Sequence, residues 1–383
     1  KSNSEGERKV AQRLISIIVP VYNSSLYLPR LFNNLMAQSI GFDALEIIFA
    51  DDCSTDSSYG ELQAFANQHS NVTLLKTSCN TGFAGAARNL ALNFATSKYI
   101  MFLDADDTYT VNACELLYNS AEKSDADLVG GYYRRTKENG EYITIDNPPY
   151  GNLSQRSTVL PKQLRSELII RDAFSCKIYK NDIIQKYSLH FLEGAPAEDI
   201  YFLYSYLLCI SSSEYLAVPV YNYTVCASSV TQCLNKKFYI ALGVAYTKIK
   251  ELFDASGHAD VLDLIFDGIL EQHICAMADS DKMCVADISE ALAYWEWLFL
   301  YENAMNNLQN QPMAHTILKW ISEKDFATAA DVLCAATPLR NAAKTAFAEI
   351  SRLNAHSAAL QSTVDAMRNS HIWRLTHPKK RGT

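Results

Sequence analysis

The spacing of hydrophobic residues over the first 130 positions switches repeatedly between two periods. Near-continuous apolar runs are typical of strands buried on both faces, whereas apolar residues spaced three and four apart are typical of helices. The runs that predict strands are 15–19, 45–50, 72–76 and 99–103. The segments that predict helices between them are 28–36, 57–68 and 82–95.

This alternation predicts an α/β fold with a mostly parallel sheet and helices on both faces, because parallel neighbours are joined by helical crossovers. Ligands of such sheets bind beyond the carboxyl ends of the strands. Polar residues follow three of the predicted strands at those ends, namely Tyr22-Asn23-Ser24, Asp51-Asp52 and residues 104–107. We therefore expect these three loops to converge on one binding site.

The rest of the chain divides into segments of different character. Residues 127–161 are irregular and rich in turn residues, which predicts a loop or flap over the site. The run 218–223 predicts a strand at a sheet edge, because Pro219 cannot donate to a ladder. The predicted divisions are a polar extension over 1–14, the main domain over 15–235, a helical subdomain over 236–337 and a C-terminal helix with a tail over 338–383.

Two patterns near the C-terminus indicate contacts beyond the main domain. Apolar and small residues at alternating steps of three and four over 339–367 form a seam of the coiled-coil type. The seam predicts a homo-oligomer, with an amphipathic helix packed on its own domain as the alternative. Residues 370–381 are aromatic and basic, which suits either peripheral contact with a membrane surface or a solvated terminus.

Composition and charge exclude some classes of protein. The chain has 383 residues, of which 49% are hydrophobic, so it can bury a large core. Its formal net charge of -8 argues against nucleic-acid binding, which needs a basic surface. Residues 1–10 lack the apolar stretch of a signal peptide, and the ten cysteines form no C-x-x-C pair. We therefore expect a cytoplasmic protein with reduced thiols.

Three carboxylates follow the fourth predicted strand, at Asp104, Asp106 and Asp107. Clustered like charges repel one another, so a fold that gathers them usually supplies a cation. Carboxylate oxygens suit Mg²⁺ or Mn²⁺, which keep open positions for substrate phosphates. A capping aspartate with solvated neighbours explains the same residues without a metal.

Asp51 and Asp52 follow the second predicted strand, shortly before Asp56. Asp56 is accounted for by the dipole of the next helix, which favours an acidic residue near the helix N-terminus. The dipole does not account for Asp51 and Asp52. A carboxylate at this place suits the imide N–H of a uracil ring, and a second capping acid is the alternative.

Small residues open the third predicted helix, where Gly82 and Gly85 allow the backbone to approach a ligand. Arg88 lies one turn further on, placed either to reach a phosphate or sugar hydroxyl or to pair with an acid. Glu198-Asp199 precede a later apolar helix. Either the pair complements the helix dipole, or Asp199 is a general base with Glu198 orienting it or binding the acceptor.

Five segments in order resemble the motifs of the family 2 glycosyltransferases of the GT-A fold. They are Val19-Pro20-Val21-Tyr22-Asn23, Asp51-Asp52-Cys53-Ser54-Thr55-Asp56, Gly85-Ala86-Ala87-Arg88-Asn89, Leu103-Asp104-Ala105-Asp106-Asp107 and Glu198-Asp199-x-x-Phe202. Residues 174–179 resemble the segment that precedes the catalytic acids in that family. The resemblance covers about residues 15–235 and is of the bacterial polysaccharide type.

The resemblance implies an inverting transferase with a nucleotide-diphosphate sugar as donor, in particular a UDP-sugar, and Mn²⁺ or Mg²⁺ as cofactor. The acceptor would be a hydroxyl of a glycan or lipid-linked glycan. The donor-binding residues that it implies are Pro20, Tyr22, Asn23, Asp51, Asp52, Gly82, Arg88, Asp104 and Ser229. The metal would be held by Asp106 and Asp107, and Asp199 would be the base beside Glu198.

The sequence departs from the family pattern at two positions. Thr224 stands where an arginine is common, which puts one phosphate contact in question. Cys53 stands where glycine is usual, and a cysteine fits there unless the residue needs a positive φ.

Two other functions fit parts of the pattern. A sugar-1-phosphate nucleotidyltransferase also uses a nucleotide and a metal on an α/β sheet. That class needs a glycine-rich segment with a basic residue directly after the first strand, which residues 20–24 lack. A catalytically inactive sugar-binding or assembly scaffold is the second alternative, against which the presence of Asp104, Asp106 and Asp199 argues.

Overall fold

A computed structural model describes residues 13–137, 140–144, 155–158, 174–225, 234–259, 273–280, 282–295, 320 and 323–337. The predicted donor residue Ser229, the seam over 339–367 and the basic segment 370–381 lie outside the described residues.

The first part of the chain alternates strands and helices as its hydrophobic pattern predicts. The strands are β1 (Ile15–Val21), β2 (Leu45–Asp51), β3 (Val72–Lys76) and β4 (Tyr99–Phe102). The helices are α1 (Leu28–Met36), α2 (Ser58–Ala66) and α3 (Gly85–Leu92), with a 3-10 turn at Phe42–Ala44. The four strands pair in parallel in the order β3-β2-β1-β4.

The second part of the sheet is mixed in direction. It contains β5 (Thr108–Tyr109), β6 (Leu128–Thr136), β7 (Tyr142–Thr144), β8 (Gln155–Thr158), β9 (Lys177–Lys180) and β10 (Ser212–Thr224). The sheet continues β4-β9-β6-β10-β5, with β9 antiparallel to both of its neighbours. The prediction of a mostly parallel sheet therefore fits β1–β4 and not this half, because the alternation of strand and helix ends after β6.

The helices that accompany this half are α4 (Ala113–Ser124), α5 (Asn181–Lys186) and α6 (Glu198–Leu207). A 3-10 turn at Phe174–Cys176 leads into β9. Further along the chain lie α7 (Lys236–Ser256), α8 (Cys275–Asp279), α9 (Val285–Leu292), a 3-10 turn at Ala293–Trp295 and a helical stretch over 326–337.

The prediction of a loop over 127–161 is wrong for its first part, which forms strand β6 in the interior of the sheet. Gly130 and Gly131 lie within β6, where they allow close packing in the sheet. A β-carbon on Gly131 would lie 2.7 Å from the Val220 side chain and 2.8 Å from the backbone oxygen of Val218. Glycine in a strand often marks such a close approach of another backbone.

The prediction of an edge position for the strand around Pro219 is also wrong, since β10 has neighbours on both sides. On one side it pairs with β6, and on the other with β5 and β8. Pro219 lies between the segments that pair with β5 and β8, and the register against β6 shifts on both sides of it. A local irregularity thus accommodates the missing N–H, as a sheet edge would have done.

Hydrophobic side chains form one core on each face of the sheet. Ile17 and Val19 of β1 belong to the core that includes α1, α2 and α4, while Ile18 belongs to the opposite core with α3 and α6. The opposite core continues into the later helices, where Trp295 is fully buried and its indole N–H donates to the Tyr239 carbonyl at 3.2 Å. Among the described residues, no helix combines the length and apolar character needed to cross a bilayer.

Candidate active site at the carboxyl ends of the strands

The register of β1, β2 and β4 brings the three predicted loops to one edge of the sheet. Val21 pairs with Asp51, and Ile18 pairs with Phe102. The backbone N–H of Asp52 donates to the Val21 carbonyl at 2.8 Å, just beyond the paired strands. Because neighbouring strands lie about 4.8 Å apart, the ends of β2 and β4 on either side of β1 are separated by roughly 10 Å.

Asn23 ties the loop after β1 to the loop after β2. Its Oδ1 accepts from the backbone N–H groups of Thr55 at 2.7 Å and Asp56 at 3.3 Å, and its own N–H donates to Ser54 Oγ at 2.9 Å. Of the predicted donor-binding residues next to it, Pro20 is buried in β1 and Tyr22 is about half exposed.

Cys53 adopts φ +57°, so the family's usual glycine is replaced at a left-handed position. The Cys53 thiol lies 3.1 Å from the Thr77 carbonyl, to which it donates. This contact joins the loop after β2 to the segment after β3 and helps hold the strained conformation.

Asp51 is completely buried and has a structural role in the loop after β2. Its Oδ2 accepts from the Ser54 backbone N–H at 3.1 Å and lies 3.9 Å from Lys76 Nζ, while its Oδ1 has no hydrogen-bond partner among the residues that the structure describes. These contacts fit the capping alternative for Asp51 better than contact with a base.

Asp52 organises the segment that follows β3. Its Oδ2 accepts from the Asn80 side-chain amide at 3.1 Å and from the backbone and hydroxyl of Thr81 at 3.0 and 3.1 Å. Its Oδ1 accepts from the Thr77 hydroxyl at 2.8 Å. A carboxylate oxygen has two lone-pair positions, so Oδ1 keeps the capacity for a second donor.

Gly82, which precedes α3, and Gly85, the first residue of α3, are required for different reasons. Gly82 adopts φ +84° in open space, where only glycine is free of strain. A β-carbon on Gly85 would lie 1.8 Å from the backbone oxygen of Leu192. The close approach at Gly85 is therefore made by the chain's own backbone.

Arg88 joins two of the predicted acidic motifs across a buried site. Its Nη2 donates to Asp104 Oδ1 at 2.6 Å, and its Nη1 donates to Glu198 Oε1 at 2.8 Å. The guanidinium lies over the rings of Phe174 at 4.6 Å and Phe191 at 5.4 Å, and the residue is 4% exposed. Arg88 therefore pairs with two acidic residues in the structure, which is one of the two roles that the sequence allowed.

Burial and neighbouring charges shift the pKa values of Arg88 and of the acidic residues around it. Burial alone would lower the pKa of Arg88, but the charges of Asp104, Glu198 and Asp199 raise it above its usual value. Burial raises the pKa of Glu198 to about 7, although Arg88 opposes the change. Burial likewise raises the pKa of Asp199, against the lowering influence of Arg88 and of a hydrogen bond from the Ile200 N–H at 2.9 Å.

The acidic turn after β4 is anchored to β10 through Asp107. Asp107 Oδ2 accepts from the Tyr221 hydroxyl at 2.8 Å, and Asp107 Oδ1 accepts from the Thr224 backbone N–H at 2.6 Å. Burial, followed by the charges of Asp106 and Asp104, raises the pKa of Asp107 well above its usual value. Asp107, predicted as a metal ligand with Asp106, is thus 2% exposed with both oxygens bonded within the protein.

The carboxylates that stay accessible at this turn are Asp104 and Asp106, which are partly exposed. Within the described part of the chain, no three His, Cys, Asp or Glu side chains are grouped as a complete metal site. A magnesium ion needs only one or two protein carboxylates when substrate phosphates complete its shell. The accessible acids therefore fit a metal that arrives with a diphosphate.

Several contacts of the site have no signal in the local sequence. Phe174 and Phe191 lie against the Arg88 guanidinium. Tyr221 donates to Asp107, and Arg30 of α1 donates to the backbone carbonyl of Asp106. An aromatic residue that holds a distant carboxylate gives no local signal, because Tyr221 lies 114 positions from Asp107 in the chain. Residues 174–179 were singled out only by the family resemblance.

Comparison with known proteins gives a family model described as "Glycosyl transferase family 2", which matches residues 16–188. Glycosyltransferase GlyG of Streptococcus pneumoniae is 29% identical over 217 residues, which are 55% of this chain and 70% of that protein. Poly(ribitol-phosphate) beta-glucosyltransferase of Bacillus spizizenii is 36% identical over 117 residues, 30% of this chain and 18% of that protein. This chain therefore matches less than a fifth of the longer relative.

Among solved structures, residues 1–349 of TarS from S. aureus, in a structure described as a complex with UDP-GlcNAc, align with a TM-score of 0.62. The alignment covers 85% of this chain and 92% of that one at 20% sequence identity. At this identity the match establishes a shared fold.

Proposed function

Because the chain belongs to glycosyltransferase family 2 through residues 16–188, we propose that it transfers a sugar from a nucleotide diphosphate to a glycan hydroxyl. The observation that carries the proposal is the Arg88 bridge between Asp104 and Glu198. It joins the acidic turn after β4, where a diphosphate would lie, to the start of α6, which carries Asp199. The bridge thus ties a donor-side group to a group suited to activate an acceptor.

The loops after β1 and β2 supply the proposed pocket for the nucleotide base. Asp52 is the base-binding carboxylate in this proposal, since Oδ1 retains capacity for the imide N–H of uracil. Pro20 and Tyr22 line the pocket, and Asn23 holds its two loops together. This choice of uridine rests on the family resemblance and on the capacity of Oδ1.

The proposed metal ligand is Asp106, with substrate phosphates as further ligands and Asp107 fixing the turn on β10. When bound, Mg²⁺ or Mn²⁺ would neutralise charge that develops on the diphosphate. Asp104 lies on the ribose side of the donor in this proposal. Arg88 is buried against two aromatic rings, which favours a positioning role for it over direct phosphate contact.

Asp199 is the proposed general base of a single displacement. Asp199 takes the proton of the acceptor hydroxyl, whose oxygen attacks the anomeric carbon from the face opposite the diphosphate. The bond from that carbon to the diphosphate oxygen breaks, the nucleoside diphosphate leaves, and the anomeric centre is inverted. A raised pKa makes Asp199 a stronger base than an exposed aspartate, and Glu198, held by Arg88, orients it.

The acceptor class is suggested by the relatives. The Bacillus spizizenii protein is named for poly(ribitol-phosphate), and another, from Bacillus subtilis, is named "Minor teichoic acid biosynthesis protein GgaA". A surface polysaccharide or lipid-linked glycan is therefore the acceptor that we propose. Assembly of such glycans would place the enzyme at the cytoplasmic side of the membrane.

A transfer assay with a panel of nucleotide-sugars and Mn²⁺ tests the proposal. We expect release of nucleoside diphosphate that depends on one donor and rises with a glycan acceptor. NMR of the product should show the anomeric configuration opposite to that of the donor. Release of pyrophosphate from a sugar 1-phosphate and a nucleoside triphosphate would instead identify a nucleotidyltransferase, and binding without turnover would identify a scaffold.

A further inference from the structure

Asn89 of α3 holds the segment of chain that leads to α6. Its Oδ1 accepts from the Phe191 backbone N–H at 2.8 Å, and its Nδ2 donates to the Phe191 carbonyl at 3.0 Å. The same Nδ2 also donates to Glu193 Oε1 at 2.9 Å. The amide thus meets the backbone of Phe191 as a neighbouring strand would, although the two residues lie 102 positions apart in the chain.

The side chain of Phe191 carries this constraint to α6. Its ring stacks on that of Phe202, with 4.2 Å between the centroids and 5° between the planes, and both residues are fully buried. Phe202 follows Asp199 by less than one turn of α6. The place of the Phe191 ring therefore fixes where the start of α6 lies relative to α3.

A second contact packs the same segment against the first turn of α3. A β-carbon on Gly85 would lie 1.8 Å from the Leu192 carbonyl oxygen and 3.5 Å from the β-carbon of Glu198. Leu192 and the first residue of α6 thus both approach α3 at Gly85, one turn before Asn89. The segment is held to α3 at two points, by close packing at one and by hydrogen bonds at the other.

We propose that Asn89 is a positioning residue that sets the place of Asp199 relative to the donor. The inference rests on the proposed function, because Asp199 is the general base of that reaction. Arg88 ties the donor-side Asp104 to α3, and Asn89 ties the segment before Asp199 to the same helix. Helix α3 is then the common reference for both substrates.

The reaction depends on this placement because a base must lie within hydrogen-bond reach of the hydroxyl that it deprotonates. A displacement of about 1 Å can slow an enzyme roughly 100-fold. The contacts of Asn89 named above do not involve the loops after β1 and β2, where the nucleotide base is proposed to bind. Loss of the Asn89 amide should therefore lower kcat and leave nucleotide affinity nearly unchanged.

Transfer kinetics of the full chain test the inference, with the donor that the nucleotide-sugar panel selects and a surface polysaccharide as acceptor. Asn89→Ala removes all three hydrogen bonds. We expect kcat to fall roughly 10- to 100-fold. Calorimetry with UDP and Mg²⁺ should show an affinity within a few-fold of the wild type, and urea denaturation records the loss of stability.

Asn181→Ala is the matched control, because the Asn181 side chain also makes three hydrogen bonds in a buried place. Its Nδ2 donates to the carbonyls of Ala95 at 3.2 Å and Ser97 at 3.0 Å, and its Oδ1 accepts from the Gln185 amide at 3.2 Å. It follows the end of β9, at the amino end of β4 and thus at the opposite end of that strand from the acidic turn. This variant should lose stability to a similar extent and keep its kcat.

The outcomes separate this inference from the proposed function. An unchanged kcat in Asn89→Ala, or an equal loss in Asn181→Ala, would overturn the role of Asn89 while the transferase stands. A loss of UDP affinity as large as the loss of kcat would also overturn it, since Asn89 would then act on the donor. Absence of transfer by the wild type with every donor would overturn both.

If Asn89→Ala does not fold, Asn89→Asp and Asn181→Asp provide the same comparison. Each keeps the oxygen that accepts a hydrogen bond and loses the N–H donors. We expect kcat to fall in Asn89→Asp alone, and equal kcat values in the two variants would contradict the assignment.

Discussion

The hydroxyl of Tyr221 lies 2.8 Å from Asp107 Oδ2 and fixes the acidic turn after β4 onto strand β10. The same hydroxyl accepts the backbone N–H of Asp104 at 3.2 Å. One phenol therefore holds both ends of the turn that carries the proposed metal ligand. Its own pKa is raised well above the usual value by burial and then by the charges of Asp107 and Asp104, so it stays a hydrogen-bond donor.

Tyr221→Phe should loosen this turn. The variant leaves a buried carboxylate oxygen without its donor, which costs about 1–3 kcal/mol of the free energy of unfolding. Urea denaturation measures that loss, and calorimetry should show weaker donor binding in the presence of metal. Tyr99→Phe is the control, because Tyr99 donates to Glu122 away from the acidic turn. If both variants bound the donor equally well, the turn would not depend on Tyr221.

The buried Glu198 should make stability depend on pH. Burial raises its pKa from 4.5 to about 7, so the folded state holds a proton that the unfolded state has already released between these values. The free energy of unfolding therefore falls as pH rises from about 4.5 to 7, by roughly 3 kcal/mol from this group. Urea denaturation across this range should show a smaller fall for Glu198→Gln. An identical pH dependence in both proteins would contradict the shift.

Asp199→Asn should abolish sugar transfer, because the amide cannot accept the proton of the acceptor hydroxyl. Donor affinity should stay within a few-fold of the wild type, since Asp199 has no proposed contact with the donor. In the wild type, burial raises the pKa of Asp199, so the acid limb of kcat/KM should lie above pH 3.8, its usual value. Full transfer by the variant would remove Asp199 from the mechanism.

Gly85→Ala should distort the start of α3. The new methyl group would meet the Leu192 carbonyl at 1.8 Å, so the backbone must move, at a cost of about 1–3 kcal/mol or more. Gly60→Ala is the matched control, since Gly60 lies in α2 with no atom within 4 Å of the added carbon. It should be neutral or stabilising by up to about 1 kcal/mol. Equal stabilities of the two variants would contradict the close packing at Gly85.

Interactions between residues close together in the chain could be predicted from the sequence, and interactions between distant residues could not. The strands β1–β4 are visible in local hydrophobic periodicity, and their common direction brings Asp52, Tyr22 and Asp104 to one edge. The position of β6 was not predictable in this way. Two glycines in a row weaken the strand pattern there, and the packing of Val220 of β10 against Gly131 is visible only in the folded chain.

The distribution of roles among the acidic residues also needed the structure. From the sequence, Arg88 could contact either a ligand or an acidic residue. In the fold it pairs with Asp104 and with Glu198, which lies 110 positions away in the chain. Asp106 and Asp107 are adjacent and chemically equal in the sequence. The bonds from Tyr221 and Thr224 of β10 to Asp107 identify Asp107 as the carboxylate that anchors the turn, and metal binding by Asp106 is our proposal.

The most direct test of the central claim is calorimetric titration of UDP into the wild type and Asp106→Asn, each with Mg²⁺ and with EDTA. The account predicts that the wild type binds UDP more tightly with Mg²⁺, and that Asp106→Asn loses this gain while its binding in EDTA is unchanged. The same gain from Mg²⁺ in both proteins, or no binding of UDP by the wild type under either condition, would contradict it.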